Sequence, residues 1–245
     1  MIYTITTQKG GVGKTTTAAA LTQAAAYKGR RALAIDLNPQ GHLSYALAAD
    51  ATQPGSYALL HGTPAGDLVQ HSPQGLDVIP ASLDLQTEKS GAGTARRLQA
   101  ALEPLKGRYS FIVIDTPTEA GELLYNALQA ADRLIIPLEL GAYMPQSIYQ
   151  IIDITQQIQG SNPKLKIAGA LLTKYRGQRS NIRAFYEAQL YDTLQALKIP
   201  FLGKVRQRTT IEEAAGLQQS LFEYDPRSDA AADYMQIYEA ITKQK

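Results

Sequence analysis

Residues 9–16 read KGGVGKTT, and the fold follows from them. Gly10, Gly11 and Gly13, with Val12 between, leave the backbone free of side-chain clash where a polyphosphate must come close. Lys14 supplies a point charge for β- and γ-phosphates, and the Thr15 hydroxyl suits a divalent cation. A short apolar stretch, residues 2–7, precedes the run. A helical pattern over residues 15–27, which includes Thr16, follows it. The N-terminus of that helix adds positive dipole beneath the phosphates. Strand, glycine loop and helix in this order separate a phosphate-binding loop from a chance match.

Outward from this unit the chain alternates. Segments 2–7, 31–36, 76–80, 111–115, 133–137 and 167–173 are rich in Ile, Val and Leu with little alternation, as buried parallel strands are. Helical patterns fall at 15–27, 94–105, 121–131, 146–157, 181–197 and 229–242. The alternation predicts a doubly wound, mostly parallel α/β sheet with helices on both faces. Residues 49–73 are broken by Pro54, Gly55, Gly62, Pro64 and Gly66, which predicts short helices and loops over one edge. No composition shift marks a linker, so a single domain over 1–245 is expected.

Ligands of such sheets bind beyond the carboxyl ends of the strands. The apolar run 111–114 ends in Asp115, a carboxylate placed to hold Mg²⁺ beside the glycine loop. There is no cysteine, which removes disulfides, thiol catalysis and cysteine-ligated clusters. His42, His61 and His71 lack metal-ligand spacing. No run of 18 apolar residues and no secretory leader is evident, so a cytoplasmic protein is expected. The net charge is only +2, yet residues 164–208 hold ten Lys and Arg against Glu187 and Asp192, a local net of +8. A field of that size suits a polyanion.

One residue refines the loop. Where the general motif has its leading glycine this chain has Gln8, and Lys9 precedes the glycines instead. KGGVGKTT thereby resembles the deviant Walker A motif of the ParA/MinD ATPases. FIVIDTP at 111–117 resembles the family's Walker B segment, and DLNPQG at 36–41 its first switch. GLDVIPAS (75–82), NALQAAD (126–132) and EYDPRS (223–228) extend the resemblance over nearly the whole chain. The P-Q-G of the switch is closer to ParA than to MinD.

The resemblance implies an ATP- and Mg²⁺-dependent ATPase whose two copies close over two nucleotides, with Lys9 reaching the partner's. It implies that Asp36 supports the Mg²⁺ shell. It places Asn38 where the family carries the aspartate associated with the attacking water. An amide can orient water but not accept its proton, which predicts slow turnover; lost acid–base help costs about 10²–10⁴ in rate. By position, Thr173, Lys174, Val205 and Arg206 resemble the adenine-side segments.

ParA-like proteins bind double-stranded DNA non-specifically in the ATP state, which would associate the chain with the nucleoid, and a ParB-like partner stimulates hydrolysis. The sequence leaves no room for the N-terminal helix-turn-helix domain some of them carry. The candidate DNA contacts are Arg176, Arg179, Arg183, Lys204, Arg208 and Arg227. An arginine the family uses for DNA aligns with Thr210. Neutralising about five phosphates predicts a log–log salt slope of roughly −4 to −5. Two alternatives share the motifs: a near-inert ATP-dependent DNA clamp or regulatory adaptor, and a MinD-like membrane positioner. Against the second, Tyr234, Ile237, Tyr238 and Ile241 recur with the period of a helix packed on its own core.

Overall fold

The computed structural model describes residues 1–88, 94–177 and 180–244. In chain order its first half comprises β1 (Ile2–Ile5), α1 (Lys14–Tyr27), β2 (Ala32–Asp36), α2 (His42–Ala46), α3 (Ser56–Leu60), α4 (Ala65–Leu68), β3 (Gln70–His71), β4 (Asp77–Ile79) and α5 (Arg97–Leu102). Then follow β5 (Phe111–Asp115), α6 (Glu122–Ala130), β6 (Arg133–Leu138), α7 (Met144–Gln159), β7 (Lys166–Tyr175), α8 (Asn181–Ala196), β8 (Phe201–Arg206), α9 (Thr209–Gly216), α10 (Leu221–Tyr224) and α11 (Asp229–Thr242). The strands form one sheet in the order β3-β4-β2-β5-β1-β6-β7-β8. All neighbours are parallel except β3 and β4.

Alternate strand residues feed opposite layers. Tyr3, Ala34, Val113, Ile135 and Leu171 pack under α1 and α11. Leu33, Ile35, Ile112 and Ile114 pack under the helices of the other face, with Leu134, Ile136 and Leu172 continuing that layer beneath α7 and α8. The central strands are buried on both faces, which is why they read as unbroken apolar runs. In α11, Tyr234, Ile237, Tyr238 and Ile241 are at most 4% exposed. Each contributes about 1.5–3 kcal/mol by burial, so this helix keeps its apolar face inside.

The observed elements differ from expectation in several places, the short α2 among them. β8 was not expected: FLGKVR is a half-buried edge strand with Gly203 and Lys204 inside it, and edges are blunted by charge. α9 and the single turn α10 were not expected either. The helix expected over 94–105 is split into a 3₁₀ turn at Thr94–Arg96, α5, and a 3₁₀ turn at Glu103–Leu105. Pro104 has no amide hydrogen for an α-helical bond there.

Candidate functional site

β1 delivers the glycine loop to the carboxyl edge of the sheet. Gly13 N-caps α1 with φ 84° and Gly11 has φ 71°, both in the left-handed region glycine tolerates. A Cβ at Gly10 or Gly11 would meet no atom within 4 Å, so the loop faces open space. Thr173 braces it from behind. Its hydroxyl oxygen lies 2.8 Å from the Val12 carbonyl oxygen and 2.9 Å from that of Leu138, tying loop, β6 and β7 together. This buried hydroxyl is thus a support for the loop. Thr173→Val should cost about 1–3 kcal/mol, because the one hydroxyl hydrogen that the Val12 and Leu138 carbonyls share is lost. Thermal melting would show the loss, and nucleotide titration should show weakened affinity as the loop relaxes.

Lys14 is 7% exposed. Its ammonium donates to Thr118 Oγ1 at 2.9 Å and to the Lys9 carbonyl at 3.3 Å. Burial lowers its pKa, opposed by the Asp115 charge. Lys9 points elsewhere: its Nζ lies 4.0 Å from Glu139 Oε2 and is about a third exposed.

The two acids behave differently. Asp36 and Asp115 are register partners at the ends of β2 and β5, and both are fully buried. Asp36 Oδ1 accepts from the Asn38 amide, and Oδ2 accepts from the Ser44 amide and hydroxyl at 2.9 and 2.8 Å. Asp115 Oδ2 accepts from the Thr15 hydroxyl at 2.7 Å, whereas Oδ1 is buried with no partner. Burial pushes Asp115 up to about 8, and the Asp36 charge pushes it the same way. Burial raises Asp36 as well. Two adjacent buried carboxylates favour either a shared proton or a cation between them.

The remaining expected residues separate. Gly13, Thr16, Thr173, Lys174, Val205 and Arg206 do converge, around a cavity of about 80 Å³ closed by Tyr234. The Arg206 side chain, however, is held by Asp233 at 2.7 Å and Asp229 at 2.8 Å, and its amide also donates to Asp233. It forms a fixed wall. Asn38 borders a second cavity of about 340 Å³ with Glu119, Glu122 and Thr118. The Asn38 amide oxygen accepts from the Gln40 amide at 3.2 Å.

Of the candidate DNA contacts, Arg179 lies outside the described residues. Arg176 and Arg208 share one cavity; Arg176 bonds Gln207, and Arg208 is paired to Asp229 at 2.5 Å. Arg183 and Lys204 both turn to Glu187 and lie over the Tyr175 ring. Arg227 is exposed between α10 and α11. The +8 segment is therefore partly neutralised at this end. Sequence reasoning missed Ser44, Thr118 and Asp233. Each meets its partner through the fold, and no motif marks it.

A glycine loop cradled between first strand and first helix, facing a carboxylate with a spare buried oxygen, defines a P-loop nucleoside triphosphatase. A family model described as an AAA domain matches residues 1–167. The chain is 34% identical over 254 residues to the chromosome partitioning protein ParA of Caulobacter vibrioides, spanning 96% of this chain and 91% of that one. It is 33% identical over 246 residues to the sporulation initiation inhibitor protein Soj of Bacillus subtilis, spanning 96% of each. The chain belongs to the ParA/MinD family of P-loop ATPases. Among solved structures, cobyrinic acid a,c-diamide synthase from Mycobacterium smegmatis with bound ATP analog and magnesium superposes with a TM-score of 0.84 at 27% identity. That match covers 99% of this chain and 94% of the other.

Proposed function

We propose that this chain is a magnesium-dependent partition ATPase that closes as a face-to-face dimer over two ATP molecules and binds duplex DNA non-specifically in that state. The observation that carries the reading is the unpartnered Oδ1 of buried Asp115, next to the Thr15 hydroxyl and across the loop from Lys14. That arrangement fits a magnesium ion and a triphosphate. Thr15 and Asp115 would hold the metal, with Asp36 stiffening the shell. Lys14 would exchange Thr118 for phosphate oxygens, and Gly10 to Thr16 would supply amides. Bound magnesium would offset phosphate charge. Lys9, about a third exposed and 4.0 Å from Glu139, is free to reach a second copy.

In this reading the nucleotide-free chain is a monomer or weak dimer, and hydrolysis releases DNA. A ParB-like protein is the natural activator, since the relatives are partition proteins. Thr173, Lys174 and Val205 wall the base side, and Arg176, Arg208 and Arg227 are the DNA-side cations of that half. Steady-state ATPase measured with and without duplex DNA tests the function. No magnesium-dependent hydrolysis above background under either condition overturns it.

One observation favours the clamp as a second reading. The Asn38 carbonyl oxygen is committed to its own turn and cannot act as a base. Asn38→Asp should then raise turnover at least about tenfold, towards the gain general-base help allows. An unchanged rate would show that residue 38 does not limit hydrolysis. α11 offers lipid no apolar face, and among the described residues no helix is long and apolar enough to cross a membrane.

A further inference from the structure

Hydrolysis of a triphosphate moves a proton as well as a phosphoryl group. The water oxygen bonds to the terminal phosphorus, the bond to the bridging oxygen breaks, and one water proton needs an acceptor. The cavity of about 340 Å³ at the carboxyl edge of the sheet is placed for this step. Thr118, in its wall, accepts from the Lys14 ammonium at 2.9 Å, and Asn38 borders the same space. A water needs only about 10–15 Å³ of such space.

Few groups there can take the proton. Asn38, Gln40 and Gln86 are amides, and the Asn38 side-chain oxygen already accepts from the Gln40 backbone amide. Three carboxylates line the cavity: Glu88, Glu119 and Glu122. The Glu88 side chain, 5% exposed, is held by His61 at 3.2 Å and Arg97 at 3.5 Å. Glu122 is buried, and its Oε1 accepts from the Asn126 side-chain amide at 2.9 Å. Glu119 differs from both. It is exposed in the loop between β5 and α6, and among the described residues its carboxylate has no hydrogen-bond or ion-pair partner. Burial lowers the Lys14 pKa, and the charges of Asp115 and then Glu119 oppose it, so Glu119 is within electrostatic reach of the phosphate-binding cation.

We propose that Glu119 is the general base of this chain: its carboxylate takes the proton of the attacking water, while the Asn38 amide only orients that water. The assignment rests on the ATPase reading above. The step balances without another reactant: ADP and inorganic phosphate leave, and Glu119 returns its proton to solvent. The fold supports the placement. Thr118, one residue earlier on the loop, bonds Lys14, which sets Glu119 next to the group that would hold the terminal phosphate. A carboxylate on an exposed loop is aimed less closely than one fixed at a strand end, and imprecise aim costs rate. Turnover that is slow but present follows, rather than an inert clamp.

The test is steady-state hydrolysis by the full chain with magnesium and duplex DNA, beside titration with a non-cleavable ATP analogue. Glu119→Gln keeps size and polarity and removes only the proton acceptor. It should lower kcat at least about tenfold, towards the 10²–10⁴-fold that a well-placed base supplies. A contact made only in the transition state leaves binding alone, so analogue affinity should change less than about threefold. Melting should not move, since the side chain is exposed. Asn38→Asp then supplies a second acceptor. Two bases working in parallel make its fold-gain larger in the Glu119→Gln chain than in the unsubstituted one. A Glu119 that merely balances the Lys14 charge would instead shift analogue affinity as much as kcat, and Asn38→Asp would gain equally in both backgrounds. Either result overturns the assignment. Hydrolysis indifferent to Glu119→Gln removes the base and leaves the ATPase, whereas no hydrolysis by the unsubstituted chain removes both.

Discussion

Asp115→Asn should make the nucleotide-free protein harder to melt while cutting magnesium-dependent turnover about 10²–10³-fold, the usual loss when one electrostatic contact to a developing charge is removed. The two effects have one cause. Asp115 is buried beside Asp36, and its pKa is pushed up to about 8 first by burial and then by that neighbour. Unfolded, the same carboxyl titrates near 3.9. Between those values the folded chain holds a proton that the unfolded chain has released. Stability is therefore full below about pH 4 and is lost as pH rises from there to about 8. In chelator, the unsubstituted protein should melt lower at pH 9 than at pH 6. The asparagine oxygen can still accept from Thr15, so the fold survives and that pH slope flattens. Equal melting of the two proteins at pH 9 would remove the buried-repulsion account. Stability and chemistry oppose each other here because the site is arranged for a cation.

How much of this was legible beforehand depends on how local each cause is. The loop at 9–16, the strand ending in Asp115 and the full extent of α11 could be read directly, because glycine content, an apolar run and a 3.6-residue period are properties of neighbouring residues. β8 was not, because an edge strand need not be apolar, and FLGKVR satisfies the sheet through backbone bonds to β7. The supports of the site were invisible for another reason. Ser44 reaches Asp36 across 8 residues and Thr118 reaches Lys14 across 104; Thr173 was named, but not its bond to Val12 across 161.

Charge shows the same limit most clearly. The excess over 164–208 was real as a count. Folding sorts it to both ends of β7 and brings Asp229 and Asp233, from outside the window, onto Arg206 and Arg208. A linear tally weighs charges by sequence separation, but fields depend on distance in space. Among the described residues Lys164, Lys166 and Lys198 of the same window have no carboxylate within 4.0 Å, and they lie at the other end of the sheet, at the entries to β7 and β8.

Lys9→Ala should leave a single chain able to bind nucleotide, with affinity changed less than about threefold, yet unable to dimerise. The Nζ of Lys9 is not aimed at its own phosphate pocket; it rests 4.0 Å from Glu139, about a third exposed. Only its backbone carbonyl serves the loop, by accepting from Lys14, and alanine keeps that carbonyl. In the proposed dimer the ammonium would be desolvated against the partner's triphosphate. Removing one member of such a buried pair typically costs 3–5 kcal/mol, so dimer affinity should fall about 10²–10³-fold or more. Small-angle scattering with magnesium and a non-cleavable ATP analogue reads the mass directly. The unsubstituted chain should double its mass, and the variant should not at the same concentration. If the variant doubles equally well, the lysine is a surface charge and the sandwich is held by other contacts. If neither doubles, the switch does not operate through association at all, and the open face above Gly10 and Gly11 must serve another partner.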